Sequence, residues 1–308
     1  MDIIVGVIVV TVIWLIWKKP AEIGGFLYHL NVAIESMLYG FSSKRVHITY
    51  AQVHMLSTRF DPKKQTILML HGFTADNFVW LRFARNFTSK YNVIIPDLLG
   101  HGNSDYNADW SYNAKSQADM VVKLLDELKV EKVHVIGNSM GGFITAQLAL
   151  DYPQRVFSAC YVDPAGIKPV TQSALESLLC DGCNPFLILE RADFARLYPM
   201  TMHRSPWLPE IAKSYIAERY VKRKTRYKHI FKEFFGKGLL DTRLSGIKTP
   251  SLILWGAKDQ LIHVDNAYKW QSLIPNAKLK VWDDIGHMPM LEIPRVSAEV
   301  YKDFLNSL

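Results

Sequence analysis

From Arg45 onward, short apolar runs alternate with stretches whose apolar positions recur every three or four residues. Continuous or alternating apolar runs mark strands, and a three-to-four repeat marks helices packed by one face. RVHITY and AQVHMLSTRF read as an opening pair of strands. TILMLHGF is a buried strand entering a glycine turn, with FVWLRFARNFTSKY as the helix after it. NVIIPDLLGHGNSD is a strand and loop, NAKSQADMVVKLLDELKV a capped helix, and KVHVIGN the next strand. GGFITAQLALDYP is helical and VFSACYVDPAG a strand. Between Gly166 and about Gly246 the alternation stops, then resumes with SLILWGAKD, a helix, the strand AKLKVWDDIG and a last helix from Pro294. Strands separated by helices demand a mostly parallel sheet with crossovers. The expected fold class is therefore α/β, a doubly wound, mostly parallel sheet with a helical cap inserted between core strands. Its core covers residues 45–165 and 247–308, and its cap residues 166–246.

The N-terminus carries a different pattern. Ile3 to Trp17 has no charge, and Lys18 and Lys19 follow at once. A cleaved signal peptide opens with positive charge and ends on small residues, whereas Asp2 precedes this run and two lysines close it. Residues 1–19 are expected to be an uncleaved membrane anchor. At ~1.5 Å per residue the run reaches about 22 Å against a ~30 Å hydrocarbon core, so it spans marginally or lies shallow. If it spans, the lysines keep the body of the protein on the cytoplasmic side. Within residues 20–44, Ile23, Phe26, Leu27, Leu30, Ile34, Met37, Leu38 and Phe41 form a helical stripe. Two readings fit it: a helix packed on its own domain, and an interfacial helix resting on a bilayer.

Composition sharpens this picture at a few points. A chain of 308 residues, 49% hydrophobic, buries a substantial core and suits one large domain with an insertion. The net charge of +7 permits contact with an anionic surface without requiring it. Six of the ten residues in RYVKRKTRYK, Arg219 to Lys228, are basic. A solvated helix face is the default for such a run, and anionic lipid headgroups are the next choice beside an anchor. No nucleic-acid motif accompanies the charge, so a nucleic-acid partner is not expected. Cys160, Cys180 and Cys183 give no disulfide framework, and Cys180 and Cys183 are read as free thiols.

The candidate chemistry lies in VIGNSMGGF, where Gly137 to Gly141 has the form G-x-S-x-G between a strand and a helix. A nucleophile on so sharp a turn needs tiny neighbours, so that strand and helix can approach while the hydroxyl stands clear. Serine is a weak nucleophile at neutral pH, and a histidine held by a carboxylate activates it. Chain order in this architecture is Ser, acid, His. Asp259, beyond the strand SLILWG, and His287, beyond the strand AKLKVW, fit that order with Ser139. Asp163 is the alternative acid; Asp283 and Asp284 read as loop solvation or caps. His71 and His101 read as structural loop residues, and His263, with no strand between it and Asp259, is the weakest base. The backbone N–H groups of Met140 and Phe73 are the expected oxyanion donors. No H-E-x-x-H, Cys/His set or phosphate loop is present, so no metal and no cofactor is expected.

HGFTADNFVW, PDLLGHGNSD, IGNSMGG, YVDPAG, WGAKDQLI and DIGHMPMLEIP occur in that order over most of the chain. Together they resemble the α/β-hydrolase family, and within it the membrane-associated monoacylglycerol lipases and the Moraxella and Psychrobacter type of bacterial lipase. The resemblance implies Ser139 as nucleophile, Asp259 as orienter, His287 as base, and Phe73 and Met140 as oxyanion donors. It implies an acylglycerol or other lipid ester as substrate and a membrane bilayer as partner. GNSMGG is equally similar to the C–C bond hydrolases of aromatic ring cleavage, and a non-catalytic ligand-binding member is the third reading.

Overall fold

The computed structural model describes residues 19–308. The anchor expected over residues 1–19 falls, apart from Lys19, outside the described residues. Among those residues no helix is long and apolar enough to cross a membrane.

Helix α1, Pro20–Leu38, starts on a proline, whose missing N–H costs nothing in a first turn. Its packed face is built of small residues, with Ala21, Gly24, Gly25 and Ser36 buried. A Cβ on Gly24 would run into the carbonyl oxygen of Ile211, and one on Gly25 would lie 2.7 Å from the Tyr215 ring. The glycine pair therefore lets two helices meet at backbone distance. The apolar stripe faces outward: Phe26, Leu27, Leu30, Ile34, Met37 and Leu38 are exposed. Phe41 leaves the stripe; Gly40 turns the chain at φ 79°, and Phe41 opens the next strand as a buried residue.

Strands β1 (Phe41–Ile48), β2 (Ala51–Thr58) and β3 (Thr66–Leu70) follow. Where the sequence pattern predicts one long helix after β3, the chain makes a 3-10 turn over Asn77–Trp80 and a single helical turn, α2 (Leu81–Ala84). Asn86 ends it early, its side-chain amide donating to the carbonyls of Arg82 at 3.2 Å and Phe83 at 2.9 Å, which competes with helix propagation. Then come β4 (Asn92–Pro96), α3 (Ala114–Glu127), β5 (Val133–Asn138), α4 (Met140–Asp151) and β6 (Val156–Val162). Asn113 caps α3, accepting from the N–H of Ser116 at 2.9 Å.

Between β6 and β7 the chain builds α5 (Ala174–Cys180), α6 (Arg191–Thr201), α7 (Glu210–Lys222) and α8 (Lys224–Phe234). The basic run is not one solvated face. It straddles the break at Arg223 between α7 and α8, so its members point in different directions. Arg219 turns inward to Asp76 at 3.0 Å, Tyr227 is buried, and Lys222, Lys224 and Lys228 are exposed. Cys160, Cys180 and Cys183 are free. The chain closes with β7 (Ser251–Gly256), α9 (Asp265–Leu273), β8 (Ala277–Trp282), α10 (Pro289–Glu292) and α11 (Pro294–Asn306).

Among the described residues the strands form one eight-stranded sheet in the order β1-β2-β4-β3-β5-β6-β7-β8. β2 runs antiparallel to β1 and β4, and the remaining pairs are parallel. Alternate residues feed two cores: Leu68, Leu70, Ala159 and Tyr161 on one face, Ile67, Met69, Cys160 and Val162 on the other. This period-two division, with both faces covered by helices, is why the central strands read as continuous apolar runs. The loops after β3, β5, β6, β7 and β8 gather at the carboxyl edge, where such sheets hold their ligands.

Candidate active site

Ser139 stands at the corner between β5 and α4 with φ 56° and ψ −116°. A side chain rarely adopts that region, and the surrounding bonds hold it there. Its N–H donates to Val162 O at 2.9 Å, and its carbonyl accepts from the N–H groups of Phe143 and Ala165, both at 3.1 Å. A Cβ at Gly137 would collide with the carbonyl oxygen of Gly141, and one at Gly141 with that of Leu70. Gly72, in the loop after β3, packs against the serine, since a Cβ there would stand 3.2 Å from Ser139 Cβ. Phe73 therefore lies beside Ser139, and Met140 follows it as the first residue of α4. The inserted helices hold this loop. Thr74, at φ 63°, shares a 2.8 Å hydrogen bond with the Tyr220 hydroxyl, and Arg219 binds Asp76.

Asp259 and His287 meet as the chain order predicts. Nδ1 of His287 donates to Oδ2 of Asp259 at 2.6 Å, and both side chains are buried. Oδ1 of the same carboxylate accepts from the N–H groups of Leu261 at 2.7 Å and Ile262 at 3.0 Å. The carboxylate is thereby fixed on both oxygens, and Nε2 is left as the nitrogen able to take a proton from a neighbour. Ser139 and His287 line the same cavity, of about 290 Å³. Among the described residues no hydrogen bond joins Ser139 Oγ to the imidazole, a contact that commonly tightens only with substrate bound.

Asn138 also belongs to the site, although G-x-S-x-G leaves its position open. It is buried, and its side-chain amide donates to the carbonyl of His287 at 2.9 Å and to that of Val162 at 3.2 Å. The strand that carries the serine thus holds the backbone of the histidine loop directly. The signal was its place one residue before Ser139.

Asp163, the alternative acid, is buried beside the pair. One oxygen of each carboxylate and a ring nitrogen of His287 lie within 4.8 Å of one another. Oδ1 of Asp163 accepts from the N–H of Gly256 at 2.9 Å, and Oδ2 has no partner. Burial first, then the neighbouring Asp259 charge, raises its carboxyl well above the usual range. Asp259 accepts from three donors, whereas Asp163 accepts from one, and burial beside Asp259 favours the protonated form of Asp163.

The other candidates sit elsewhere. His71 is buried, its Nδ1 donating to Gly72 O at 2.8 Å and its Nε2 accepting from the N–H of Leu98 at 3.0 Å. His101 is buried with Nδ1 at 3.2 Å from Leu99 O, and burial lowers both imidazoles below their ordinary value. His263 contacts Asp265, while Asp283 and Asp284 are exposed. A second serine–histidine–aspartate chain exists: Ser43 Oγ lies 2.9 Å from His54 Nε2, and His54 Nδ1 2.7 Å from Asp97 Oδ2. Ser43 sits in the regular ladder of β1 and β2, with no strained turn to present its hydroxyl to a substrate. Its hydrogen bonds tie strands together.

A family model described as the alpha/beta hydrolase fold matches residues 65–182 and 184–294. The chain belongs to the α/β-hydrolase family. This hydrolase is 32% identical over 248 residues to Lipase 1 of Psychrobacter immobilis, covering 79% of this chain and 78% of that one. It is 25% identical over 257 residues to monoacylglycerol lipase ABHD6 of Homo sapiens, covering 80% and 76%. A crystal structure described as a membrane phospholipase A, a bacterial virulence factor, superposes with a TM-score of 0.88 at 30% identity, covering 99% of this chain and 98% of that one. The protein is a hydrolase of the lipase and esterase kind within its family.

Proposed function

We propose that this hydrolase cleaves monoacylglycerols at a membrane surface, through an acyl-enzyme formed on Ser139. Its core would be residues 45–165 and 247–308, with residues 166–246 as the cap. The observation that carries the reading is the buried His287–Asp259 pair opening onto the same cavity as the strained Ser139. In the first half-reaction His287 Nε2 takes the Ser139 proton as Oγ attacks the ester carbonyl, and Asp259 stabilises the imidazolium. The N–H groups of Met140 and Phe73 receive the oxyanion. His287 then protonates the leaving alcohol, and water, activated by the same imidazole, releases the fatty acid.

Membrane association rests on two features. Ile3–Trp17 is apolar and followed in the sequence by Lys18 and Lys19, and α1, Pro20–Leu38, carries an outward apolar stripe. Tyr28, Asn31 and Val32 of α1 line the cavity that holds Ser139, and the exposed Trp207 lines it too. A bilayer against α1 would therefore lie next to the entrance. No step requires a cofactor. The test is a panel of mono-, di- and triacylglycerols with purified protein and its Ser139→Ala variant. Turnover of monoacylglycerols that disappears in the variant supports the proposal; turnover of none of the acylglycerols, by folded protein, refutes it.

A further inference from the structure

Ser139 borders two chambers. The larger, of about 290 Å³, contains His287 and carries polar groups from several elements, among them Asn31, Glu35, Asp76 and Arg219. The smaller, of about 140 Å³, lies between the loop after β6 and helix α8. Phe143, Ile167, Phe231 and Phe234 line it, and its polar side chains are Ser139 itself and Asn266. Asn266 is buried and its Oδ1 accepts from the N–H of Val170 at 3.0 Å, which leaves only its amide N–H groups for a ligand. Phe73, Phe186 and Leu261 belong to both linings and stand where the chambers meet.

We infer that the acyl chain of the substrate occupies the small phenylalanine-lined chamber and the leaving alcohol the large one, so that the small chamber sets acyl length. This rests on the serine-hydrolase reading above, and two arguments converge on it. The group that protonates the departing alkoxide must touch it, and His287 lines only the large chamber of the two. Bond breaking then runs from the acyl carbon, held over Ser139, toward the His287 side. The alkoxide oxygen takes the proton from Nε2 while the acyl group stays on Oγ, its chain pointing the other way. Polarity gives the same answer. Glycerol hydroxyls placed in the small chamber would lose their hydrogen bonds to water and find almost no partners, whereas a hydrocarbon chain gains by leaving water there. In the large chamber the same hydroxyls meet the Asn31 amide and the spare donors and lone pairs of the Arg219–Asp76 and Arg82–Glu35 pairs.

With one alcohol held constant, kcat/KM should rise about fourfold for each methylene added to the acyl chain, the rate equivalent of roughly 0.8 kcal/mol, and stop rising when the chamber is full. Three variants locate the limit: Ile167→Trp to fill the small chamber, Phe234→Ala to lengthen it, and Ile216→Trp to narrow the large one. The first should move the break in the acyl series to shorter chains, the second to longer ones. The third should lower kcat/KM for bulky alcohols and leave the break where it was. A wild-type comparison needs no variant to fold: with each rate divided by that ester's hydroxide-catalysed rate, a naphthyl ester of a short acid should be cleaved at least tenfold faster than a short-chain ester of naphthoic acid. The reverse preference, or an acyl break that moves with Ile216→Trp and not with Ile167→Trp, overturns the assignment of chambers while the esterase stands. If no ester of any series is cleaved, the serine-hydrolase reading itself has failed.

Discussion

Replacing Asn138 with alanine removes the amide that bridges the serine strand to the histidine loop. Its 2.9 Å bond to the carbonyl of His287 is lost outright, whereas the carbonyl of Val162 keeps the N–H of Ser139 at 2.9 Å. One buried acceptor is therefore orphaned, at a cost of about 1–3 kcal/mol. In unfolding, that corresponds to a fall in Tm of about 1.5–5 °C for a chain of this length. In catalysis the consequence depends on where the cost appears. If the bond holds His287 in register with Ser139 as the transition state forms, the whole cost falls on that step, and kcat drops by about 5- to 160-fold with KM little changed. Burst kinetics on a chromogenic ester and a thermal melt on the same preparation measure the two effects separately. A melt that drops while acylation and kcat hold their wild-type values would refute the reasoning, because the bond would then support the fold and not the base.

Four further outcomes follow from the same geometry. Gly141→Ala places a methyl against the carbonyl of Leu70, so either the elbow reshapes and probe labelling of Ser139 stops, or the protein fails to fold, as circular dichroism will distinguish. Asp163 binds a proton in the fold that the unfolded chain releases above its ordinary value of 3.8; stability is complete below that value and declines as pH rises toward the raised pKa. Asp163→Asn should flatten that decline in denaturant titrations. His101 is held neutral, so its contribution is complete above the ordinary value of 6.5 and is lost as pH falls below it, and His101→Asn should lessen acid destabilisation. Phe26→Glu with Met37→Glu should weaken sedimentation with anionic vesicles, each exposed apolar side chain being worth ~1.5–3 kcal/mol if it enters the bilayer.

The parts of this molecule legible in its sequence are those fixed by local constraint. G-x-S-x-G announces itself because Gly137 and Gly141 each exclude a methyl within a few residues of Ser139. The central strands were legible because both of their faces are buried, which forces continuous apolar runs. Asp259 and His287 follow from chain order once the sheet is recognised. The direction of α1 was not legible, since its outward stripe is as apolar as a core face. Only the Gly24–Gly25 pair marks which side meets α7, and close approach of helix backbones is a matter of tertiary contact. The early end of α2 depends on one amide, Asn86, whose competition with the helix outweighs its apolar repeat. The two chambers were out of reach, because they arise where Phe73, Phe143, Phe231 and Phe234 converge from segments far apart in the chain.

The central claim is that Ser139, activated by His287, is the nucleophile. It is tested most directly by reacting the protein with a fluorophosphonate and locating the adduct by peptide mass spectrometry. The account predicts a single phosphonylated residue, Ser139, with labelling lost in Ser139→Ala and slowed at least a thousandfold in His287→Ala. An adduct on another residue, or labelling that survives both substitutions unchanged, would contradict it.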